Sequence, residues 1–289
     1  MKYIKWVNRN INKLENKTVV ITGATGSIGL STTKYLAHLN ANIVIAVRNS
    51  KKGNQLIEDL KKLYPSVNIS MMIVDFSSIE SVDKFIEELK SVNMDYYITT
   101  AGVYHLPEII TKDGMEIHYE TNYFNQIRVI ESLSKDLPVI VVSSISHKKC
   151  RIDFENHMGI GVKNRTAVYG RSKRLLNFHL LNLKNQGYDI RITHPGVSAT
   201  SLFASEKGGF GKLFNALIVP LMKIIFHSPD KSSLTVLYGL NDSIELGKEI
   251  GPGGLFAVWG YPKVLKLSKK LQNVEKQNKI IDFYNSHKK

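Results

Sequence analysis

The chain has one cysteine, Cys150, so it can form neither an intrachain disulfide nor a Cys-X-X-Cys metal site. A reducing compartment is the natural setting. Long apolar runs are also missing. The most apolar stretch, Leu213 to Phe226, is interrupted by Asn215, Pro220 and Lys223, and it falls short of the roughly 20 residues that a spanning helix needs. The N-terminal MKYIKWVNRNINKLENK has charges but no apolar core segment, so it is not read as a signal peptide. Acid is scarce: Asp and Glu number 25 against 39 Lys and Arg, a net charge of +14. Such an excess admits nucleic acid, anionic membrane or acidic ligands as partners. The lysines are scattered, however, as at Lys2, Lys5, Lys13, Lys17, Lys263, Lys266, Lys269 and Lys270. No zinc-finger spacing or RNA-binding aromatic motif accompanies them. The expectation is a solvated basic surface, no nucleic-acid partner, no metal and a cytoplasmic protein.

What is present is an alternation. Short β-branched runs at Thr18–Thr22, Asn42–Val47, Ile69–Val74, Tyr96–Thr100, Val139–Ser143 and Ile190–His194 read as strands buried on both faces. Helical stripes lie between them: Leu56, Leu60 and Leu63; then Ile79, Val82, Ile86 and Leu89 after a capping box at Ser77 and Glu80; then Leu176, Leu180 and Leu183. Strands alternating with helices predict right-handed crossovers and an α/β fold, a doubly wound parallel sheet of Rossmann type. Residues 1–289 are read as one domain. Past Ser198 the rhythm breaks into an irregular apolar insertion, 198–228. A helix near Lys231–Leu240, a short strand near Leu255–Val258 and a basic terminal helix follow.

Directly after the first strand stands Thr22-Gly23-Ala24-Thr25-Gly26-Ser27-Ile28-Gly29. Glycines there permit close backbone approach to a ligand. A helix beginning near Ser27 aims its free N–H groups and positive dipole end at the loop, as a dinucleotide pyrophosphate requires. The second strand ends Ala46-Val47-Arg48-Asn49. It lacks the acid that accepts from the ribose 2′-OH of NAD and offers Arg48, a guanidinium suited to a 2′-phosphate. That points to NADP(H).

Tyr169-Gly170-Arg171-Ser172-Lys173 starts the long apolar helix and sets Tyr169 and Lys173 one turn apart on one face. A lysine ammonium nearby is expected to lower the phenol from its ordinary value of about 10, making Tyr169 a proton donor or acceptor for a carbonyl oxygen. Ser143-Ser144 ends the fifth strand, and His194-Pro195-Gly196 ends the sixth. His147 and His194 are read as loop and strand-end residues rather than ligands.

The order glycine loop, serine, Tyr-X-X-X-Lys, proline-glycine resembles the short-chain dehydrogenase/reductase family over nearly the whole chain. AVRNSKKG, DFSS, VVSSISH and SPDKSSLTVLYGL bring it nearest to the retinol-dehydrogenase-like branch. The resemblance implies that Ser144 polarises the substrate carbonyl, that Tyr169 is the general acid or base, and that Lys173 holds the nicotinamide ribose. It implies that Asn122 completes a proton relay through water. Gly23, Thr25, Gly26, Ser27, Ile28, Gly29, Arg48, Asp75, Phe76, Ala101, Gly102, Tyr169, Lys173, Pro195, Gly196 and Thr200 would contact the cofactor. Two departures stand out: Thr100 replaces an asparagine of the usual Asn-Asn-Ala-Gly, and Ser27 stands where the commonest loop has a glycine.

The activity so implied is NADP(H)-dependent interconversion of an aldehyde or ketone with its alcohol. Segment 198–228 lies where relatives carry a substrate lid, and its large apolar residues favour a lipophilic substrate. Lys207, Lys212 and Lys223 leave peripheral contact with an anionic membrane open, and the resemblance leaves a homodimer open. Two alternatives remain, a silent NADP-binding regulatory or scaffold protein and a sugar-nucleotide epimerase-type relative, since fold does not fix function.

Overall fold

Every buried strand in this chain must hide side chains on both faces, and the helices are distributed to do so. The structure, a computed structural model, describes residues 1–196, 227–244, 248–254 and 257–288. In chain order the elements are α1 (Ile4–Asn10), β1 (Thr18–Thr22), α2 (Ser27–His38), β2 (Asn42–Val47), α3 (Ser50–Leu63), β3 (Ile69–Ile73), α4 (Ile79–Leu89) and β4 (Tyr96–Thr99). Next comes α5 (Ile117–Tyr119), which runs through a π-helical turn (Glu120–Phe124) into α6 (Asn125–Glu131). Then follow β5 (Val139–Val142), a 3-10 turn (Ile145–Lys148), α7 (Arg165–Asn185), β6 (Ile190–Thr193), α8 (Pro229–Tyr238), β7 (Glu249–Pro252), β8 (Pro262–Leu265) and α9 (Val274–His287).

Among the described residues one sheet has the order β3-β2-β1-β4-β5-β6-β7-β8. All neighbours are parallel except β7 and β8. Alternate residues feed opposite cores. Val20, Val44, Tyr97, Val139, Val141 and Ile192 pack with α4, α6, α7 and α9. Val19, Ile21, Ile43, Ile98, Ile140 and Val142 pack with α1, α2, α3 and α8. The strand order reverses between β1 and β4, and at such a switch point the crevice beyond the carboxyl ends of the strands takes ligands. Among the described residues no helix is long and apolar enough to cross a membrane.

Several local expectations need correction. Leu56 and Leu60 are buried, but Leu63, the last residue of α3, is 65% exposed because the helix ends there. The cap of α4 is Ser78, whose hydroxyl accepts from Ser81 N–H, rather than a Ser77/Glu80 box. Helix α7 starts at Arg165, capped by Asn164, so Tyr169 lies one turn inside it. The strand expected at 255–258 falls partly outside the described residues, and Ala257 sits at φ +56° in the turn joining β7 to β8. Those two strands form a hairpin in which Pro252 pairs with Pro262. Nearly all of the 198–228 segment, with Thr200, lies outside the described residues.

Candidate active site

The glycine loop joins β1 to α2 at the switch point. Gly23 has φ +70°, and a Cβ there would meet the Ala101 backbone at 2.6 Å. A Cβ at Gly29 would strike the Gly23 carbonyl at 2.2 Å. Both glycines are therefore needed for the loop to turn and for the helix to begin against β4. Gly26 N–H donates to Gly23 O at 2.9 Å, and Gly26 caps α2. The departing Ser27 is the first, exposed residue of that helix. The first-turn N–H groups of α2 have no partner within the helix. Gly26, the cap of that helix, lines a cleft of about 290 Å³.

Gly23, Thr25 and Gly26 line that cleft together with Arg48, Asp75, Phe76, Ala101, Gly102 and Thr121. Arg48 is exposed and pairs with no carboxylate among the described residues. Asp75 is braced by Ser77, whose N–H and Oγ donate to Asp75 Oδ1 at 2.9 and 2.7 Å. The residues fit a dinucleotide with an added phosphate: backbone close enough to cradle pyrophosphate, a helix N-terminus, and a free guanidinium. Thr100 supplies a brace of its own, since its Oγ donates to Thr22 O at 2.7 Å and ties β4 to β1.

Beyond the cleft, Ser144, Tyr169, Lys173 and Asn122 come together. The Ser144 hydroxyl donates to Ser146 Oγ and accepts from Ser146 N–H, each at 3.2 Å, and it lies near enough to the Tyr169 phenol to favour its ionised form. Lys173 is 5% exposed and donates Nζ to Val142 O at 2.9 Å. Asn122 lies within the π-helical turn, a geometry that recurs at functional sites. Its Oδ1 accepts from Val103 N–H at 2.7 Å, and its Nδ2 donates to Val103 O at 2.9 Å and to Ser172 Oγ at 3.2 Å. A Cβ on Gly102 would lie 2.9 Å from Asn122 Oδ1 and 3.7 Å from Lys173 Nζ, so only glycine leaves room between them.

The electrostatics differ from the sequence expectation. Burial pushes the Tyr169 phenol up to about 12; the Ser144 hydrogen bond pulls it back and Tyr104 adds to the rise. Burial draws Lys173 down to about 8. The lysine is aimed at Val142 and does not offset the desolvation of the phenol. Tyr169 therefore holds its proton at neutral pH, the state of a proton donor.

The sequence reading missed the support beneath these groups. His147 shares a 2.5 Å hydrogen bond through Nδ1 with the Ser144 carbonyl. Buried Glu249 receives Lys148 at 3.0 Å and faces His147 at 3.9 Å and His194 at 4.0 Å. Burial lowers both histidines, His194 to about 4 despite Glu249, so both are neutral packing residues. Gly196, at φ +78°, donates its N–H to His194 Nδ1 at 3.3 Å. His227 bridges the Pro195 carbonyl at 3.2 Å and the Gly260 N–H at 3.0 Å. The contacts of Glu249 and His227 come from distant segments, and no local signal announces them.

Comparison with known proteins bears on the arrangement. A family model described as short chain dehydrogenase matches residues 17–155. The chain is 30% identical over 218 residues to short-chain dehydrogenase TIC 32 B, chloroplastic, of Brassica napus, covering 68% of each chain. It is 26% identical over 241 residues to human polyprenol dehydrogenase, covering 77% of this chain and 72% of that one. Human retinol dehydrogenase 13 is 26% identical over 239 residues, with 78% and 72% covered. In fold, a crystal structure of an uncharacterized protein from Mycobacterium paratuberculosis has a TM-score of 0.77 over 96% of both chains, at 22% identity.

Proposed function

The chain belongs to the short-chain dehydrogenase/reductase family, and on that premise we propose that it is an NADP(H)-dependent oxidoreductase acting on a lipophilic aldehyde or ketone, or the matching alcohol. Residues 1–289 form its one domain in this reading, with 198–228 as the substrate lid. The observation that carries the reading is the convergence of Ser144 on Tyr169, one helical turn from Lys173, next to a cleft lined by the glycine loop, Arg48, Ala101 and Gly102. The retinol and polyprenol dehydrogenases among the relatives, named for lipophilic alcohols, support the substrate class.

A nicotinamide held by the glycine loop and Arg48 would supply or accept the hydride. The chain's own residues do the rest. Ser144 donates to the carbonyl oxygen and fixes its place. Tyr169, held neutral by burial, passes its hydroxyl proton to that oxygen as the alcohol forms. Lys173, buried and mostly protonated at pH 7, is held by the Val142 carbonyl one helical turn from Tyr169, where it would donate to the nicotinamide ribose. Asn122 holds the chain after β4 against α7, so that the cleft and the acid keep one geometry. A panel of aldehydes and ketones with NADPH and with NADH, followed at the nicotinamide absorbance, tests the proposal. NADPH-dependent turnover that rises with substrate apolarity is expected. A preference for NADH, or for short polar carbonyls, would overturn the cofactor or the substrate half respectively.

A further inference from the structure

The segment after β4 has no regular structure, yet it is fixed by buried charge. Glu116 is wholly buried and receives the Arg165 guanidinium. It also bonds His118 Nδ1 at 2.9 Å. His118 Nε2 accepts the Leu106 N–H at 3.3 Å, while Arg165 Nε donates to the Leu106 carbonyl at 3.0 Å. Both backbone groups of one loop residue are thus held by side chains, the work that a helix or a sheet usually does. A second tie runs from Gly161 N–H to Glu108 Oε2 at 2.7 Å. Burying ionic groups is costly unless every partner is in place, so the loop is held in one conformation.

Two residues before Leu106 stands Tyr104. Its ring meets Tyr169 edge to face, with centroids 4.8 Å apart and planes at 87°. Tyr104 is only half-buried, so part of its ring remains open beside the proton donor. Further along the same loop Ile109 and Ile110 are 41% and 47% exposed. Ile160, next to the tethered Gly161, is 44% exposed. The loop thus carries an aromatic ring at Tyr169 and exposes isoleucines further along its course.

We propose that Tyr104 is a specificity-determining residue, the fixed wall against which a planar apolar group attached to the substrate carbonyl packs, on a loop locked by Glu116, His118 and Arg165. The inference rests on the functional reading above and extends it to the shape of the substrate. A planar group gains a ring contact that a puckered, saturated group of equal size does not. Such contacts are worth about 0.5–1.5 kcal/mol beyond area, which is a factor of about 2 to 13 in affinity.

The test compares Tyr104→Ala and Tyr104→Phe with wild type. One arm measures kcat and KM for benzaldehyde and cyclohexanecarbaldehyde with NADPH. The other measures equilibrium binding of the unreactive benzamide and cyclohexanecarboxamide. Tyr104→Ala is expected to raise KM and Kd for the planar ligands by about 3- to 10-fold. The saturated ligands should change less than about 2-fold, and Tyr104→Phe should keep the wild-type selectivity. Equal losses for planar and saturated ligands, or none, would overturn the assignment. Selective binding without turnover in wild type would strike the reductase reading and leave the wall standing. Because Tyr104 is half-buried, its variants test the idea without disturbing the buried ion group.

Discussion

Glu120 opens the π-helical turn that carries Asn122, and it is wholly buried. Burial pushes its carboxyl from the ordinary 4.5 up to about 7; Asp113 beside it adds to the rise, while Thr111 and Asn125 oppose it. Replacing it by glutamine keeps the shape and the acceptor for Asn125 Nδ2, which stands 3.0 Å from Glu120 Oε1, and removes the ionisation. The sign follows from the two proton affinities. Below pH 4.5 folded and unfolded chains both bind the proton, and stability is full. Between 4.5 and about 7 only the folded chain holds it, so stability falls as pH rises. Above about 7 both have lost it and the loss levels off. The gap corresponds to about 3 kcal/mol at about 1.4 kcal/mol per pH unit. Glu120→Gln should therefore melt close to wild type at pH 4.5 and roughly 6–12 °C higher at pH 8, at about 2–4 °C per kcal/mol for a chain of this size. Thermal unfolding of both proteins across that range is the assay. Parallel curves, or a glutamine variant less stable at pH 8, would refute the argument that a buried carboxylate loads this turn.

Three further substitutions probe the cleft and the acid. Tyr169→Phe removes the proposed proton donor and keeps the ring against Tyr104, so kcat should fall by about 10²–10⁴ while NADPH titrates nearly as in wild type; a variant that keeps most of its turnover would unseat the acid. Arg48→Ala should weaken NADPH binding roughly 10- to 100-fold through lost charge-assisted bonds and leave NADH within about 2-fold; equal losses in fluorescence titrations would make Arg48 structural. Thr100→Val removes the hydroxyl that bridges to Thr22 O and should cost about 1 kcal/mol in denaturant unfolding; no change would mean that the Thr100 N–H, 3.2 Å from the same carbonyl, satisfies it without the hydroxyl.

Strands β1 to β6 were legible because each is a short apolar run between turn residues, and their observed ends differ from the expected ones by at most one residue. Strands β7 and β8 were not. Pro252 and Pro262 face each other across the pair, and Glu249 and Lys263 break the apolar signal, so only the hairpin as a whole reveals them. The glycine loop was legible because its backbone geometry demands glycine at Gly23 and Gly29. Tyr169 and Lys173 were legible through helical spacing. Asn122 was reached only by resemblance, since its π-helical turn depends on bonds to Val103 and Ser172 that no local pattern encodes. The raised phenol had no sequence signal for the same reason: burial and the neighbouring Tyr104 are properties of the assembled site.

One helix explains why these separately encoded pieces meet. Along α7, Arg165, Tyr169, Ser172 and Lys173 stand at i, i+4, i+7 and i+8, a single helical face. Arg165 holds the loop after β4 at Leu106. Tyr169 meets Ser144 at the end of β5. Ser172 accepts from Asn122 of the π-helical turn. Lys173 grips the Val142 carbonyl on β5. Each contact could be lost singly with local consequences. Inserting one residue into α7 between Arg165 and Tyr169 would rotate the two halves of the face by about 100° relative to each other. It would part the loop carrying Tyr104 from Tyr169 while leaving Tyr169, Ser172 and Lys173 in register with one another. The spacing within α7 is thus the element of sequence that turns three neighbouring segments into one site.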